Sequence, residues 1–231
     1  GVSGQEAVLP EQIDIWKKME IIQENDVTKA SYDGHFIKIP TDQIRLLGQH
    51  NYFDIGIAYA VCSLLKIEDT VFINGLKSYQ PLPHRLQPLG EKDGIKYYDD
   101  SISTICETTI QALNTLKDVD TVLIGGMDRG IDYSELINFL SGYKVPHIIL
   151  MEATGKRILE EILKGYPDFQ GKERLILTDH LEDAVAKAKE LTRSGHSCLM
   201  SPAAASYGIF KNFEERGEVF ARLVSGSDKL M

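Results

Sequence analysis

Residues able to hold a charged ligand cluster in a few short segments of this 231-residue chain. In Asp99-Asp-Ser-Ile-Ser-Thr104, carboxylates and hydroxyls follow an apolar run. A carboxylate there can accept hydrogen bonds from ribose hydroxyls or lie near a metal ion. The hydroxyls can cap a helix or bind an oxyanion. A plain strand-to-helix turn with capping side chains also explains the segment, so the residues alone leave both interpretations open.

Two further segments place an arginine beside glycine or proline. Gly125-Gly-Met-Asp-Arg-Gly130 has neither the GxGxxG nor the GxxxxGK[ST] spacing, so it does not predict a dinucleotide or Walker loop. Leu82-Pro-His-Arg85 ends in a guanidinium that can grip a phosphate through two hydrogen bonds. The alternatives are a turn with a surface arginine in the first segment and a solvent-facing linker arginine in the second.

The segment 201–217 reads Ser-Pro-Ala-Ala-Ala-Ser-Tyr-Gly-Ile-Phe-Lys-Asn-Phe-Glu-Glu-Arg-Gly. Ser201 and Pro202 are typical of a helix cap and a first-turn proline. The small residues after them leave the backbone open to a ligand, and free amides at a helix start attract anions. We therefore predict a turn that continues directly into a helix ending near Val224, with an anion site at its start.

The elements that must position these segments are short apolar strands alternating with helices. This alternation predicts an α/β fold, a Rossmann-like and mostly parallel sheet with helices on both faces. Ligands of such sheets bind at the carboxyl ends of the strands. The predicted strands are 95–98, 121–125, 147–151, 174–177 and 197–200, and the predicted helices are 104–116, 133–140, 156–163, 181–194 and 206–224.

The first eighty residues are less regular. We predict a helix over 9–25, a strand over 35–40 and helices over 55–65 and 70–79. Gly48-Gln-His-Asn51 precedes the first of the two later helices, and Asn51 has the side chain of an N-cap. The prolines in Gln80-Pro-Leu-Pro-His84 mark a domain boundary, which divides the chain into 1–81 and 82–231.

Composition limits the classes of function. Hydrophobic residues make up 43% of the chain and charged residues 26%, which is typical of a globular protein. The net charge of −9 argues against nucleic-acid and anionic-membrane partners, although local arginines can still bind anionic substrates. The three cysteines, Cys62, Cys106 and Cys198, are odd in number and far apart, so we predict reduced thiols in a cytoplasmic protein. Separately, we expect the protein to be a monomer.

Taken together and in this order, the motifs at 48–51, 82–85, 99–104, 125–130 and 201–217 resemble the carboxy-terminal signature of the bacterial Mur ligases, in particular the glutamate-adding members. The resemblance covers roughly residues 44–224. It implies that 1–81 is the end of an α/β ATP-binding domain and that 82–231 is a Rossmann-like glutamate-binding domain.

The resemblance assigns ATP-binding roles to Asn51, Asp54, Arg85 and Asp100. Asn51 and Asp54 would face the adenine, Arg85 the phosphates and Asp100 the ribose. The family has a second asparagine where this chain has Asp54. A carboxylate can accept from the adenine amino group but cannot donate to a ring nitrogen, so we expect a changed hydrogen-bond pattern.

The resemblance also assigns the incoming glutamate to Thr104, Arg129, Ser206 and Phe213. Arg129 stands where the family has lysine, which keeps the charge and offers a fork suited to carboxylate. From the residues alone, Ser206 can equally be a helix cap and Phe213 a core aromatic.

Two departures lie beside these residues. The family has lysine at the position of Ile102 and asparagine at the position of Ile105, so two polar groups are replaced by apolar ones. An acceptor other than D-glutamate, such as L-glutamate or another amino acid, is therefore an alternative within the same family.

The implied reaction is ATP-dependent ligation in peptidoglycan precursor synthesis, with Mg²⁺ as the metal and an acyl-phosphate intermediate. Its substrates would be UDP-N-acetylmuramoyl-L-alanine and glutamate. The chain contains no phosphate loop, so we expect a fragment of the enzyme, without catalytic residues or metal ligands of its own. An alternative of another class is a non-catalytic Rossmann-like module for nucleotide sensing or protein interaction.

Overall fold

The computed structural model describes residues 18–24, 26–143 and 145–226. The chain divides into two units, Gly1–Gln80 and Pro81–Met231, each with its own internal contacts. The functional assignment of each unit stays a prediction.

In its described residues, 18–24 and 26–80, the first unit contains three antiparallel strands and two α-helices of more than three residues. The strands β1 (Met19–Glu24), β2 (Val27–Tyr32) and β3 (His35–Pro40) pair in sequence order. The helices are α1 (Gln49–Leu64) and α2 (Asp69–Ser78). Their core contains Ile39, Tyr59 and Ala60. The predictions of a strand at 35–40 and of helices near 55–65 and 70–79 are confirmed.

The predicted helix at 9–25 is wrong over 19–24, whereas Lys18 is helical. Residues 19–24 form β1 and pair with β2 along their whole length. Met19 and Ile21 pack against the core of this unit, which is the two-residue alternation of a strand. Residues 9–17 and 25 of the predicted helix lie outside the described residues.

The second unit is built on a six-stranded sheet in the order β4-β5-β9-β6-β7-β8. Its strands are β4 (Gln87–Lys92), β5 (Ile95–Asp99), β6 (Val119–Gly125), β7 (His147–Met151), β8 (Leu175–Thr178) and β9 (Ser197–Met200). From β5 to β8 all neighbours are parallel. The predicted α/β fold with a mostly parallel sheet is confirmed.

Sequence reasoning missed the edge strand β4. It pairs antiparallel with β5 through a tight turn at Asp93 and Gly94, which have φ values of 54° and 79°. Positive φ at both positions is the geometry of a two-residue hairpin turn. The strand was not predicted because it contains Pro88 and Gly90, and both residue types are unfavourable in strands except at edges and bulges.

Helices cover both faces of this sheet. The helices α3 (Cys106–Thr115), α4 (Ser134–Gly142) and α5 (Glu152–Gly165) pack on one face, and α6 (Leu181–Leu191) and α7 (Phe213–Ser225) on the other. Along β6, Val122 and Ile124 face the first group and Leu123 the second. The near-continuous apolar strands predicted from sequence follow from this two-sided burial.

The path of the chain creates a switch point at the carboxyl end of β9. The chain leaves β9 for α7 on one face, whereas its sheet neighbours β5 and β6 lead to α3 and α4 on the other. The loops that follow these three strands therefore diverge, and such a point is where open α/β sheets bind ligands.

The predicted continuous helix after residue 201 is wrong. Residues 201–212 are non-helical, and α7 begins at Phe213, after an N-cap at Asn212 whose side chain accepts a hydrogen bond from the Glu215 amide at 2.9 Å. Ala203 has a φ of 53°, which interrupts any helix there. Ser201 and Pro202 therefore neither cap nor open a helix, so helix-start amides do not supply an anion site at these residues.

Candidate functional site

The loops after β5, β6 and β9 contact one another at the carboxyl edge of the sheet. The Met127 amide donates to the carbonyl of Ala205 at 2.8 Å, which joins the β6 and β9 loops. Nη2 of Arg129 donates to the carbonyl of Thr104 at 2.6 Å, which joins the β6 and β5 loops. Segments separated by up to a hundred residues in sequence thus form one cluster.

Glycine is required where the β6 loop turns. Gly125 and Gly126 have φ values of 138° and 153°. A Cβ atom at Gly125 would overlap the carbonyl of Met151, and one at Gly126 would lie 2.9 Å from Nη1 of Arg216. The two glycines therefore bring this backbone against β7 and against α7.

Asp100 is buried and its carboxylate has partners inside the unit. The residue is only 2% exposed. Its Oδ1 accepts a hydrogen bond from the Leu86 amide at 3.0 Å, and its Oδ2 accepts one from the Ser201 hydroxyl at 2.7 Å. Burial raises the pKa of Asp100 to about 6, an effect opposed by these hydrogen bonds and by the charge of Arg85. A ribose contact of this carboxylate stays a prediction.

A second carboxylate, Asp99, pairs with His84. Nδ1 of His84 lies 2.7 Å from Oδ2 of Asp99, and Oδ1 accepts from the Ser101 amide at 2.9 Å. The hydrogen bond with Asp99 raises the pKa of His84. The two acidic residues that open the 99–104 segment are therefore both engaged within the unit, while the expected side-chain caps are absent from α3, whose N-cap is Ile105.

Of the predicted glutamate-binding residues, Arg129 is exposed and Thr104 half-buried, and the hydrogen bond described above links them. Ser206 is buried, and its carbonyl accepts from the Phe210 amide at 3.0 Å. Phe213 is the first residue of α7, and its carbonyl accepts from the Ser101 hydroxyl at 2.8 Å. All four lie on the clustered loops or at the start of the helix that follows them.

Arg216 is the buried centre of this cluster, and the sequence analysis assigned it no role. It is 1% exposed and makes four hydrogen bonds. Nε donates to the Ser101 hydroxyl at 2.9 Å and Nη2 to the Ser101 carbonyl at 2.8 Å. Nη2 and Nη1 donate to the carbonyls of Ala204 and Ala205 at 3.0 and 3.2 Å. The small side chains of 203–205 leave room for this guanidinium.

The sequence does carry a signal for this arginine. On α7 the buried residues are Arg216, Gly217, Phe220 and Val224, which share one helical face. A cation on the apolar face of a helix is rarely buried without hydrogen-bond partners. Burial lowers the pKa of Arg216 to about 10, and the nearby charges of Glu152 and Asp99 oppose that shift.

The predicted adenine-binding residues lie in the first unit. Asn51 and Asp54 are in the first two turns of α1, which begins with Gly48 rather than Asn51 at its N-cap. Nδ2 of Asn51 donates to the carbonyl of Leu47 at 2.6 Å. Both residues border a mainly apolar groove of about 460 Å³, which is also lined by Ile55, Val71, Phe72 and Leu76.

The part of the chain that the structure describes has neither a cluster of metal ligands nor a membrane-spanning helix. No three histidine, cysteine, aspartate or glutamate side chains of that part lie together as a possible ion site. None of its helices is both long enough and apolar enough to cross a membrane. All three cysteines are free thiols; Cys106 and Cys198 are buried, whereas Cys62 is only half-buried.

Known proteins show the same fold. No protein-family model matches the chain. The solved structure of UDP-N-acetylmuramate-alanine ligase MurC from Thermotoga maritima aligns with a TM-score of 0.62 at 16% identity over 90% of this chain and 46% of its own. MurF from Acinetobacter baumannii aligns with a TM-score of 0.61 at 16% identity over 89% of this chain and 44% of its own. The fold is thus that of the Mur ligase class.

Curated sequences give the closer relationship. The UDP-N-acetylmuramoylalanine–D-glutamate ligase of Thermoanaerobacter sp. (strain X514) is 35% identical over 188 residues, which are 81% of this chain and 40% of that protein. The enzyme of the same name from Alkaliphilus metalliredigens is 32% identical over 199 residues, 86% of this chain and 42% of that protein. The chain is therefore a relative of the UDP-N-acetylmuramoylalanine–D-glutamate ligases, which confirms the resemblance, and it spans about 40% of their length.

Proposed function

We propose that this chain supplies the amino-acid-binding unit and part of the nucleotide site of an ATP-dependent ligase that adds glutamate to UDP-N-acetylmuramoyl-L-alanine. The names of its relatives give the substrate class. The observation that carries the proposal is the convergence of the loops bearing Thr104, Arg129 and Ser206 at the switch point of the sheet.

The proposed reaction joins a carboxylate to an amine. The alanine carboxylate of the nucleotide sugar attacks the γ-phosphorus of ATP, which releases ADP and leaves an acyl phosphate. The glutamate amine then attacks the acyl carbon, loses a proton and displaces inorganic phosphate. This chain contributes positioning, because holding the amine beside the acyl carbon removes much of the entropic barrier.

Arg129 is the residue we propose for a carboxylate of the acceptor. Its guanidinium is exposed, and the Thr104 carbonyl fixes it at the edge of the loop cluster through Nη2. A guanidinium binds carboxylate through two parallel hydrogen bonds. Ser206 and Phe213 would border the same acceptor, since their segments contact the β5 and β6 loops.

Each unit, taken by itself, carries residues that we propose for the nucleotide. Arg85 is half-buried beside Asp100, and we propose it for the phosphates. Asn51 and Asp54 border the apolar groove of the first unit, a surface suited to a flat base. Asp100 would bind the ribose only after the groups around it moved, because the residue is only 2% exposed.

The described residues do not themselves fit a Mg²⁺ site. Asp99 and Asp100 are the only adjacent acidic pair at the strand ends described above, and both are held in internal hydrogen bonds. No step of the mechanism is therefore assigned to a metal held by this chain.

A second candidate keeps the reaction but changes the acceptor to L-glutamate or another amino acid. Ile105 is 42% exposed beside Thr104, at a position where the glutamate-adding family resembled by the sequence has a polar group. Ile102 replaces a cation in the same loop. Loss of these two polar groups beside the acceptor site would leave the choice of amino acid to other residues.

Calorimetric titration of the 231-residue chain with D-glutamate, L-glutamate and ADP tests the proposal directly. We expect binding of one glutamate enantiomer and of ADP. Preference for L-glutamate would select the second candidate. ADP binding without any amino-acid binding would favour a nucleotide-sensing module, and binding of neither ligand would reject the ligase assignment for this chain. Phosphate release by the complete gene product containing the chain tests turnover itself.

A further inference from the structure

We propose that Arg216 is the positioning residue of the acceptor site, setting the mutual placement of the loops that contact the amino acid. This inference rests on the proposed function for its meaning, although the hydrogen bonds themselves do not depend on it. Arg216 lies beneath the loops and is 1% exposed, so it acts through them rather than on the substrate.

Every proposed acceptor contact lies within three residues of a group that touches Arg216. Thr104 follows Ser101, whose hydroxyl and carbonyl both accept from the guanidinium. Ser206 follows Ala205, whose carbonyl accepts from Nη1. Phe213 is three residues before Arg216 in α7, and its own carbonyl accepts a hydrogen bond from the Ser101 hydroxyl.

The β6 loop packs against the same guanidinium. Gly126, three residues before Arg129, leaves so little space that a Cβ atom would lie 2.9 Å from Nη1. The β5, β6 and β9 loops therefore share one buried group, and a change in its position would move all of them.

Only a planar fork can satisfy these acceptors together. Arginine carries five N–H donors in a fixed plane, whereas lysine offers a point charge with three donors on one atom. The acceptors lie on two chain segments, Ser101 and 204–205, and are reached by three different nitrogens. Replacement by lysine would keep the charge and leave buried carbonyls without donors, which is costly.

The charge of Arg216 interacts with acidic groups without forming an ion pair among the described residues. No carboxylate of the described residues forms a salt bridge with Arg216, but the charges of Glu152 and Asp99 interact with it. Because the hydrogen bonds go to neutral groups, the geometry of the loops, rather than an ion pair, is what the guanidinium enforces.

The experiment compares R216K and S101A with the matched control R222K in the 231-residue chain. Arg222 lies on the same helix and is exposed. Hydrogen exchange is measured for amides of 101–104, 126–129 and 203–206, together with the affinity for the glutamate enantiomer that the unmodified chain binds. S101A removes one side-chain acceptor and the bond to Phe213, so it remains informative if R216K does not fold.

We expect exchange in all three loops to accelerate at least tenfold in R216K and in the β5 and β9 loops in S101A, with little change in α6. Glutamate affinity should fall about tenfold or more, because binding would then have to order loops that Arg216 no longer holds in place, while ADP affinity changes by less than about threefold. R222K should match the unmodified chain in both readouts.

Loop exchange that stays unchanged in folded R216K, or in S101A where R216K does not fold, would overturn the inference. Equal loss of glutamate and ADP affinity would also overturn it, because that pattern reports general destabilisation. If the unmodified chain binds no amino acid, the proposed function fails, and the exchange data still decide whether Arg216 holds the loops.

Discussion

Nδ1 of His84 lies 2.7 Å from Oδ2 of Asp99, and this contact attaches the segment after the unit boundary to the end of β5. The histidine side chain is 14% exposed and the aspartate side chain 1% exposed. The ring of His84 also meets that of Phe213 edge-on, with centroids 6.1 Å apart. His84 therefore contacts both the end of β5, through Asp99, and the start of α7, through Phe213.

The first prediction concerns pH. The hydrogen bond with Asp99 raises the pKa of His84 above its ordinary value near 6.5, with smaller contributions from the charges of Asp99, Glu214 and Glu218. A raised folded-state pKa means that the native state binds more protons. The stabilising contribution is thus complete below about pH 6.5 and is lost as the pH rises through the folded-state pKa.

Urea unfolding between pH 6 and pH 9 measures this dependence. H84N should flatten the decline of the unfolding free energy over that range, whereas H180N, at an exposed histidine of the same unit, should leave the decline unchanged. Identical pH profiles for the unmodified chain and H84N would contradict the prediction.

The second prediction concerns Gly217, which lies directly against the pair. A Cβ atom at this position would overlap both Nδ1 of His84 and Oδ2 of Asp99. G217A should therefore separate the pair and lower the unfolding free energy by roughly 1–3 kcal/mol, the usual cost of overpacking. Urea unfolding at pH 6 gives the value.

Gly142 provides the matched control, because it lies at the end of α4 with no atom within 4 Å of an added Cβ. G142A should be neutral or slightly stabilising, since alanine restricts the unfolded chain without a clash. A G217A variant as stable as G142A would show that the contact is not needed.

The third prediction concerns Asp100. Burial raises its pKa to about 6, so between about pH 4 and pH 6 the native state binds a proton that the unfolded state releases. This group alone makes the unfolding free energy fall as pH rises through that window. D100N should remove that fall, and the difference between the unfolding free energies of the two proteins, followed from pH 4 to pH 7, isolates it.

Other carboxylates act in the opposite direction. Hydrogen bonds with Lys96 and Arg193 contribute to lowered pKa values of Asp118 and Asp120, although burial of each group opposes them. The comparison with D100N cancels their effect, because both are present in each protein. A pH-independent difference would mean that Asp100 titrates normally.

The fourth prediction tests Arg129. Replacement by methionine removes the cation but keeps an unbranched side chain, so glutamate affinity should fall about tenfold or more if a carboxylate is bound there. R129K should retain part of the affinity. R222M, at an exposed arginine outside the loop cluster, should titrate like the unmodified chain in calorimetry. Unchanged glutamate affinity in R129M would remove this residue from the site.

The fifth prediction concerns the apolar residues of the β5 loop. I102K together with I105N restores the polar groups found in the resembled family, and the double variant should shift the ratio of D-glutamate to L-glutamate affinity in favour of D-glutamate. Ile105 is exposed and outside the core, which makes its replacement tolerable to the fold. An unchanged ratio in competitive titration would remove these residues as determinants of acceptor choice.

Several elements could be predicted because their signals are local. The strands β6, β7 and β9 are short apolar runs, and burial on both faces makes such runs unmistakable in an α/β chain. The amphipathic repeat of α6 and the turn residues between elements are equally local. The sequence by itself therefore determined the fold class and the edge of the sheet where a site would lie.

Other features depend on contacts between distant segments, and only the tertiary structure decided them. β1 is a strand because β2 supplies its backbone partners. Residues 201–206 are non-helical, and the carbonyls of Ala204 and Ala205 accept from Arg216 instead. A buried arginine needs acceptors from several loops at once, and no local pattern specifies which loops meet. The sequence specifies which residue types form the candidate site, whereas their mutual placement depends on long-range packing around the buried guanidinium of Arg216.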